Sequence, residues 1–152
     1  MLNRDYKDML QILQKHEVDY ILVGAYALAA HGYPRSTLDM DIWVNPTKTN
    51  SSKLYKALSE FGAPLNEITE NTFEQKGIVF QIGVAPCRID FITEISGNIE
   101  FTPAKEQASI TEIEGIRIIM LSIKDLIKNK EATGRSKDLE DAKRLRKKIK
   151  ET

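Results

Sequence analysis

The ten residues 36–45, STLDMDIWVN, alternate between two kinds of side chain at nearly every position. A period of two is typical of a β-strand whose two faces meet different surroundings. The apolar face carries Leu38, Met40, Ile42 and Val44, and the other face carries Asp39, Asp41 and Trp43. Asp is poorly suited to strands, and two neighbouring carboxylates repel each other unless positive charge lies close to both. The stretch therefore predicts a core strand that carries a site, and that site needs a cation.

The two carboxylates of this strand are candidate metal ligands. Alternate residues of a strand lie roughly 7 Å apart and point the same way, so Asp39 and Asp41 converge on one side. Asp90, within the apolar stretch CRIDFITE, is the natural third member if its strand is a neighbour. Carboxylate oxygens suit Mg²⁺ or Mn²⁺, and such ions serve phosphoryl transfer. For each Asp taken alone, an exposed strand face remains an alternative.

A glycine break precedes the acidic strand. In DYILVGAYALAAHGY, the first part predicts a buried strand over Tyr20–Val23, Gly24 marks a turn, and a short helix follows to Ala30. Backbone N–H groups at the start of a helix favour phosphate oxygens. Gly24 and Ala25 are therefore candidate nucleotide-binding residues.

The order of these parts resembles the nucleotidyltransferase superfamily with the DNA polymerase β-like fold. The carrying segments are VGAYALAAHGYPRSTLDMDIWV and CRIDFI, and the resemblance covers about residues 18–145. Within the superfamily, HGYPRSTLDMDIWV and ATGRSKDLEDAKRL are similar to small proteins related to the AbiEii toxins and to minimal nucleotidyltransferases. One departure is the turn, where Gly24-Ala25 stands in place of Gly-Gly or Gly-Ser and no hydroxyl can contact a phosphate.

The resemblance implies a reaction and a set of roles. An acceptor hydroxyl attacks the α-phosphate of a nucleoside triphosphate, and pyrophosphate leaves. Asp39 and Asp41 are implied to be shared metal ligands, and Asp90 is the ligand that helps to activate the attacking hydroxyl. Gly24 is implied to cradle the triphosphate.

Basic residues near these parts are candidate contacts to phosphate or acceptor. They are Arg35, before the acidic strand, and Lys130, Arg135 and Lys137, around the junction of the last two predicted helices. The alternative interpretation of Arg35 is a structural counter-ion for the acids. Lys137 belongs to a segment that also has the pattern of a solvated helix start.

The acceptor is not selected by any motif. The family's acceptors include RNA ends, proteins and small hydroxylated molecules, and so short a chain leads us to expect a homodimer or a partner protein that completes the site. The alternative is a non-catalytic nucleotide-binding or toxin–antitoxin module on the same fold. Ala25 favours that alternative, whereas three converging carboxylates favour the enzyme.

The hydrophobic pattern predicts an α/β fold leaning to α+β, with a mixed sheet covered by helices mainly on one face. Beyond the elements above, it predicts helices over residues 3–16 and in NPTKTNSSKLYKALSEFG, strands in GIVFQIGV and CRIDFITE, and a hairpin in SITEIEGIRIIML. Two helices follow from about residue 122. We expect one domain over residues 1–152, with Trp43 covering the edge of the sheet rather than stacking on a base.

Composition limits the function classes. The 152 residues carry 22 basic and 22 acidic side chains, so no net charge demands a nucleic acid or membrane partner. No segment has the length of a membrane span, the N-terminus lacks a signal-peptide pattern, and the single Cys87 fits a reducing compartment. We therefore expect a cytoplasmic protein. Residues 135–150 are rich in Lys and Arg, which indicates a solvated helix face, with phosphate or RNA contact as the alternative.

Overall fold

A mixed six-stranded sheet organises the protein, whose computed structural model describes residues 2–33, 39–84 and 87–151. The helices and strands follow one another in this order: α1 (Arg4–Lys15), β1 (Tyr20–Val23), α2 (Gly24–Ala30), β2 (Met40–Val44), α3 (Lys48–Phe61), a 3₁₀ turn (Thr72–Glu74), β3 (Val79–Ile82), β4 (Ile89–Ile92), α4 (Phe101–Gln107), β5 (Ser109–Ile113), β6 (Ile116–Met120), α5 (Ile123–Thr133) and α6 (Ser136–Glu151).

The strands lie side by side in the order β3-β4-β2-β1-β6-β5. The pairs β1–β2, β3–β4 and β5–β6 are antiparallel, whereas β2–β4 and β1–β6 are parallel. The predicted mixed sheet in an α/β fold is therefore confirmed. The parallel pairing of β2 with β4 matters most for the site, because it aligns two segments that are far apart in the sequence.

Local sequence explains where the helices begin and end. The side chain of Asn3 accepts a hydrogen bond from the Tyr6 amide and caps α1, as its position before the amphipathic segment predicted. Helix α3 ends at Gly62, whose φ of 90° lies in the left-handed region that glycine adopts without strain. These caps confirm the predicted boundaries of the first and third helices.

The apolar face of the acidic strand is part of the core, as predicted. Met40, Ile42 and Val44 are each fully buried. In β1, all four residues are buried, so both faces of the sheet are covered at its centre. The polar face of β2 is therefore only partly open to solvent.

The predicted position of Trp43 at the edge of the sheet is wrong. Strand β2 lies inside the sheet, and Trp43 is only 2% exposed. Its indole packs edge to face on Phe101, with 5.1 Å between ring centroids. Phe101 begins α4, a helix that the sequence did not predict because its seven residues contain Pro103.

The longest helix of the described residues, α6, is sixteen residues long and strongly charged. Nowhere in residues 2–33, 39–84 and 87–151 does a helix combine the length and apolar character needed to cross a membrane.

A buried amide joins α3 to the strands. The side chain of Asn50, which is 5% exposed, accepts a hydrogen bond from the Asp19 amide at 2.7 Å. Its nitrogen donates to the carbonyls of Asp19 and Asn45, both at 3.0 Å. One side chain therefore satisfies three backbone groups beside the beginning of β1 and the end of β2.

We predict that Asn50→Ala lowers the free energy of unfolding by about 2–4 kcal/mol, since it removes three hydrogen bonds to the backbone and takes away the acceptor of the Asp19 amide. Urea denaturation measures the change. Asn71→Ala, at an exposed position, is the matched control and should change it by less than about 0.5 kcal/mol. Equal losses in the two variants would contradict the structural role of Asn50.

Candidate functional site

Three Asp side chains meet where β2 and β4 begin. Asp41 and Asp90 are direct partners in the parallel register of these strands, and a hydrogen bond joins their carboxyl groups. Asp39 lies just before β2, where its Oδ1 accepts the backbone N–H of Arg88 at 3.1 Å. The structure thus brings together the three carboxylates that the sequence suggested.

The positive charge at these carboxylates comes from Arg88. Its Nε donates to Asp90 Oδ1 at 2.8 Å, and its Nη2 donates to Asp90 Oδ2 at 3.1 Å. The same Nη2 lies 3.5 Å from Asp39 Oδ2. The hydrogen bond to Asp90 and the negative charges raise the pKa of Arg88. Arg35, which the sequence offered as a counter-ion or nucleotide contact, lies outside the described residues.

One guanidinium does not offset all three acids. Burial, followed by the charge and hydrogen bond of Asp90 and the charge of Asp39, raises the pKa of Asp41 to about 7. Arg88 acts in the opposite direction but is outweighed. Near neutral pH, the metal-free site therefore holds a proton for part of the time.

The absence of a side chain at Gly24 leaves space for the Asp41 carboxylate. The φ of Gly24 is +68°, and a Cβ at this position would overlap Asp41 Oδ2 and lie 3.2 Å from Asp41 Cγ. Only glycine fits here on both grounds. The carboxylate therefore lies directly against the first residue of α2. Phosphate contacts from Gly24 and Ala25 stay a prediction.

Two of the predicted basic residues share a cavity with Asp41. The cavity has a volume of about 220 Å³, and its lining includes Gly24, Asp41, Lys130 and Arg135. Lys137 is exposed on the first turn of α6 and is not among the lining residues. The fold therefore places the junction of α5 and α6 beside the acidic strand.

The two cations of this cavity, Lys130 and Arg135, differ in their exposure to solvent. Lys130 is 6% exposed, and its Nζ lies 3.2 Å from a carboxylate oxygen of both Asp138 and Asp141. The Arg135 side chain is 76% exposed and contacts Asp138 at 2.8 Å. Burial alone would raise the pKa of Asp138, but its hydrogen bond from Thr133 and the charge of Lys130 hold it below the usual range. Lys130 is thus part of a buried ion cluster, whereas Arg135 reaches solvent.

A larger cavity, of about 610 Å³, adjoins the first one. Residues 94–96, which follow β4, line both cavities. Trp43, two positions after Asp41 on the same face, lines the larger one. Its indole N–H is buried and has no hydrogen-bond partner within the part of the chain that the structure describes.

The donor set has the chemistry of a hard-cation site. Among the described residues, no group of three or more Asp, Glu, His or Cys side chains is already arranged around a metal position. Instead, the guanidinium of Arg88 engages Asp39 and Asp90. The three side chains nevertheless offer only carboxylate oxygens, the ligands that hard divalent cations prefer. Asp39, Asp41 and Asp90 therefore fit Mg²⁺ or Mn²⁺ if the guanidinium moves.

Comparison with known proteins gives two findings. The chain matches the family described as "Nucleotidyl transferase of unknown function (DUF2204)" over residues 2–152. It is also similar to the 1.87 Å crystal structure of a candidate nucleotidyltransferase from Thermotoga maritima, with a TM-score of 0.62 and 15% identity over 100% of this chain and 97% of that chain. At this identity the likeness concerns the fold. No curated protein matches the sequence.

We predict that Gly24→Ala destabilises the protein by about 3 kcal/mol or more, because strain at positive φ is joined by a clash with Asp41. Gly115→Ala is the control, since Gly115 has a φ of +80° with nothing within 4 Å of its added Cβ. It carries the backbone strain alone. Chemical denaturation compares the two, and equal losses would show that the close approach to Asp41 is unimportant.

The raised pKa of Asp41 predicts how stability depends on pH. In EDTA, the stabilisation from the proton on Asp41 is fully present below about pH 4 and is lost as the pH rises through about 7. Asn does not ionise, so Asp41→Asn has no such loss. The variant should therefore gain stability relative to the parent as the pH rises over this range, by about 1 kcal/mol or more at pH 8. Denaturation at pH 5 to 8 tests this, and parallel curves would contradict it.

Proposed function

This chain belongs to the family of nucleotidyl transferases of unknown function (DUF2204), and on that premise we propose that it transfers a nucleoside monophosphate from a nucleoside triphosphate to an acceptor hydroxyl, using Mg²⁺ or Mn²⁺. The observation that carries the proposal is the meeting of Asp39, Asp41 and Asp90 at one end of two parallel strands. Burial and the neighbouring carboxylates raise the pKa of Asp41 to about 7, and a bound cation would offset the repulsion among the three acids.

Each carboxylate has a role in this reaction. Asp39 and Asp41 hold the cation, and Asp90 helps to orient and deprotonate the attacking hydroxyl. A bond forms between the acceptor oxygen and the α-phosphorus. The bond from the α-phosphorus to the oxygen that bridges to the β-phosphorus breaks, and pyrophosphate leaves with the electron pair of that bond. When bound, a divalent cation supplies positive charge to the phosphate oxygens and to the leaving group.

Arg135 is the best-placed candidate for a contact to the triphosphate. It lines the cavity that contains Asp41, and its exposed guanidinium can turn towards a phosphate because the buried Asp138 keeps its contacts to Lys130 and Thr133. Lys130 contributes positive potential from its buried cluster with Asp138 and Asp141. Contacts from Gly24, Ala25, Arg35 and Lys137 remain part of the proposal without a supporting distance.

The adjoining cavity offers space for an acceptor group or a nucleobase. Its volume of about 610 Å³ is in the range of small-molecule sites, and it lies on the acidic face beyond Trp43. RNA ends, proteins and small hydroxylated molecules all remain candidate acceptors. A second copy or a partner protein that completes the site is also part of the proposal.

A second candidate function is a non-catalytic nucleotide-binding module, for example in a toxin–antitoxin pair. The observation that favours it is the bidentate ion pair between Arg88 and Asp90, which occupies a carboxylate that catalysis needs. Ala25 in place of a residue with a hydroxyl points the same way. Such a module would bind a nucleoside triphosphate and transfer nothing.

We predict that the protein transfers label from α-³²P nucleoside triphosphates to RNA, protein or small molecules of a cell lysate in the presence of Mg²⁺. Asp41→Asn and Asp90→Asn should each reduce the transfer by about a hundredfold or more. Asp8→Asn, the same change at an exposed position on α1, is the control and should retain it. Transfer that survives in the Asp90→Asn variant would contradict the assigned roles.

Thermal melts separate the enzyme from a merely structural cluster. We expect Mg²⁺ with the α,β-methylene analogue of a nucleoside triphosphate to raise the melting temperature of the parent, because such a ligand binds only the native state. Asp41→Asn should melt no lower than the parent in EDTA and should lose most of this increase. A lower melting point in EDTA with an unchanged response would overturn the metal site. A response without any label transfer would favour the non-catalytic module.

A further inference from the structure

Arg88 places a positive charge against two of the three carboxylates. Its guanidinium engages both carboxylate oxygens of Asp90, at 2.8 and 3.1 Å, and lies 3.5 Å from Asp39. We propose that Arg88 is a positioning residue that keeps the metal-free site assembled and competes with the divalent cation, so that the cation binds well only together with the nucleotide. This inference rests on the proposed function.

Competition follows from the geometry and the charges. A cation shared by the three carboxylates has to use at least one oxygen of Asp90, and Arg88 donates to both. The guanidinium and the metal ion carry charge of the same sign, and a guanidinium never loses its proton in a protein. The metal ion therefore competes with the Arg88 side chain for Asp90.

The backbone at Arg88 does not depend on its guanidinium. The Arg88 amide donates to Asp39 Oδ1, and the Arg88 carbonyl accepts from the Met40 amide at 2.9 Å and from the Tyr6 hydroxyl at 3.3 Å. These bonds fix the beginning of β4 against β2. The side chain is 32% exposed, which leaves it a route to solvent. Its release therefore leaves the register of Asp41 and Asp90 intact.

The competition makes cation binding depend on the nucleotide. Mg²⁺ gives up its water reluctantly and is usually held by one or two carboxylates together with substrate phosphates. Alone, Mg²⁺ competes with a bidentate ion pair and gains only two or three bonds to carboxylates. With a triphosphate it gains phosphate oxygens as well, and these oxygens are acceptors for the released guanidinium. The site is thus stable without metal and accepts Mg²⁺ with the substrate.

The test is a titration of the melting temperature with Mg²⁺ in the absence of nucleotide. Arg88→Gln removes the charge and keeps a side chain of comparable length. We expect its melting temperature in EDTA to lie below that of the parent, and its Mg²⁺ midpoint to be lower by about tenfold, the factor that one lost charge-assisted hydrogen bond corresponds to. At saturating Mg²⁺ the variant should regain most of the lost stability.

Two further variants separate charge from structure. Arg88→Lys keeps the charge and should keep a midpoint close to that of the parent. Arg117→Gln makes the same chemical change at an exposed position on β6 and should leave the midpoint unchanged. If Arg88 were only structural, Arg88→Gln would melt lower at every Mg²⁺ concentration with the midpoint of the parent, and this would overturn the inference.

The same melts distinguish this inference from the proposed function. A parent that responds to Mg²⁺ with the α,β-methylene nucleotide, while Arg88→Gln shows the Mg²⁺ midpoint of the parent, overturns the role of Arg88 alone. If neither protein responds to Mg²⁺, with or without the nucleotide, the metal site and the inference drawn from it both fail.

Discussion

The parallel pairing of β2 with β4 is the constraint on which the site depends. It sets Asp41 opposite Asp90 within one sheet, at a separation where two carboxylates share a hydrogen bond. Burial, and then the like charge of Asp90, disfavour the ionised form of Asp41 and raise its pKa to about 7. The surrounding structure is built to tolerate this pair rather than to avoid it. Such tolerance is typical of a functional site, where strain is retained because the chemistry uses it.

Two features of the fold make the pair tolerable. Gly24 leaves room for the Asp41 carboxylate, because any side chain at that position would overlap it. Arg88 directly precedes β4, and its guanidinium donates to Asp90. The segment that carries Asp90 therefore also carries a positive charge. The backbone of Arg88 is fixed by Asp39 and Met40. The register and the charge balance are therefore held by different atoms of one residue, and a cation can alter the balance without disturbing the register.

Elements with a clear period or cap were predictable from local sequence, and those defined by packing were not. Helices α1 and α3, the hairpin of β5 and β6 and the last two helices all carry their own signals, such as the Asn3 cap and the Gly62 stop. Helix α4 has seven residues with an internal Pro, and its first residue, Phe101, packs on Trp43. For the same reason the sequence misplaced Trp43, whose burial depends on a helix 58 positions later in the chain.

The sequence by itself identified the three acids, the two strands that carry them and the family resemblance, because a period of two and a lone Asp between apolar residues are local patterns. It named Asp39, Asp41, Asp90 and Gly24 as a set. Only the tertiary structure decided that Arg88 is their counter-ion, that Arg135 borders the cavity of Asp41 and that Lys130 is enclosed in an ion cluster. Arg88 and Asp90 are only two positions apart, but their approach to Asp39 and Asp41 depends on the pairing of β2 with β4, and the approach of Arg135 to the cavity of Asp41 depends on helix packing. These contacts join residues far apart in the chain, and no local pattern encodes such distances.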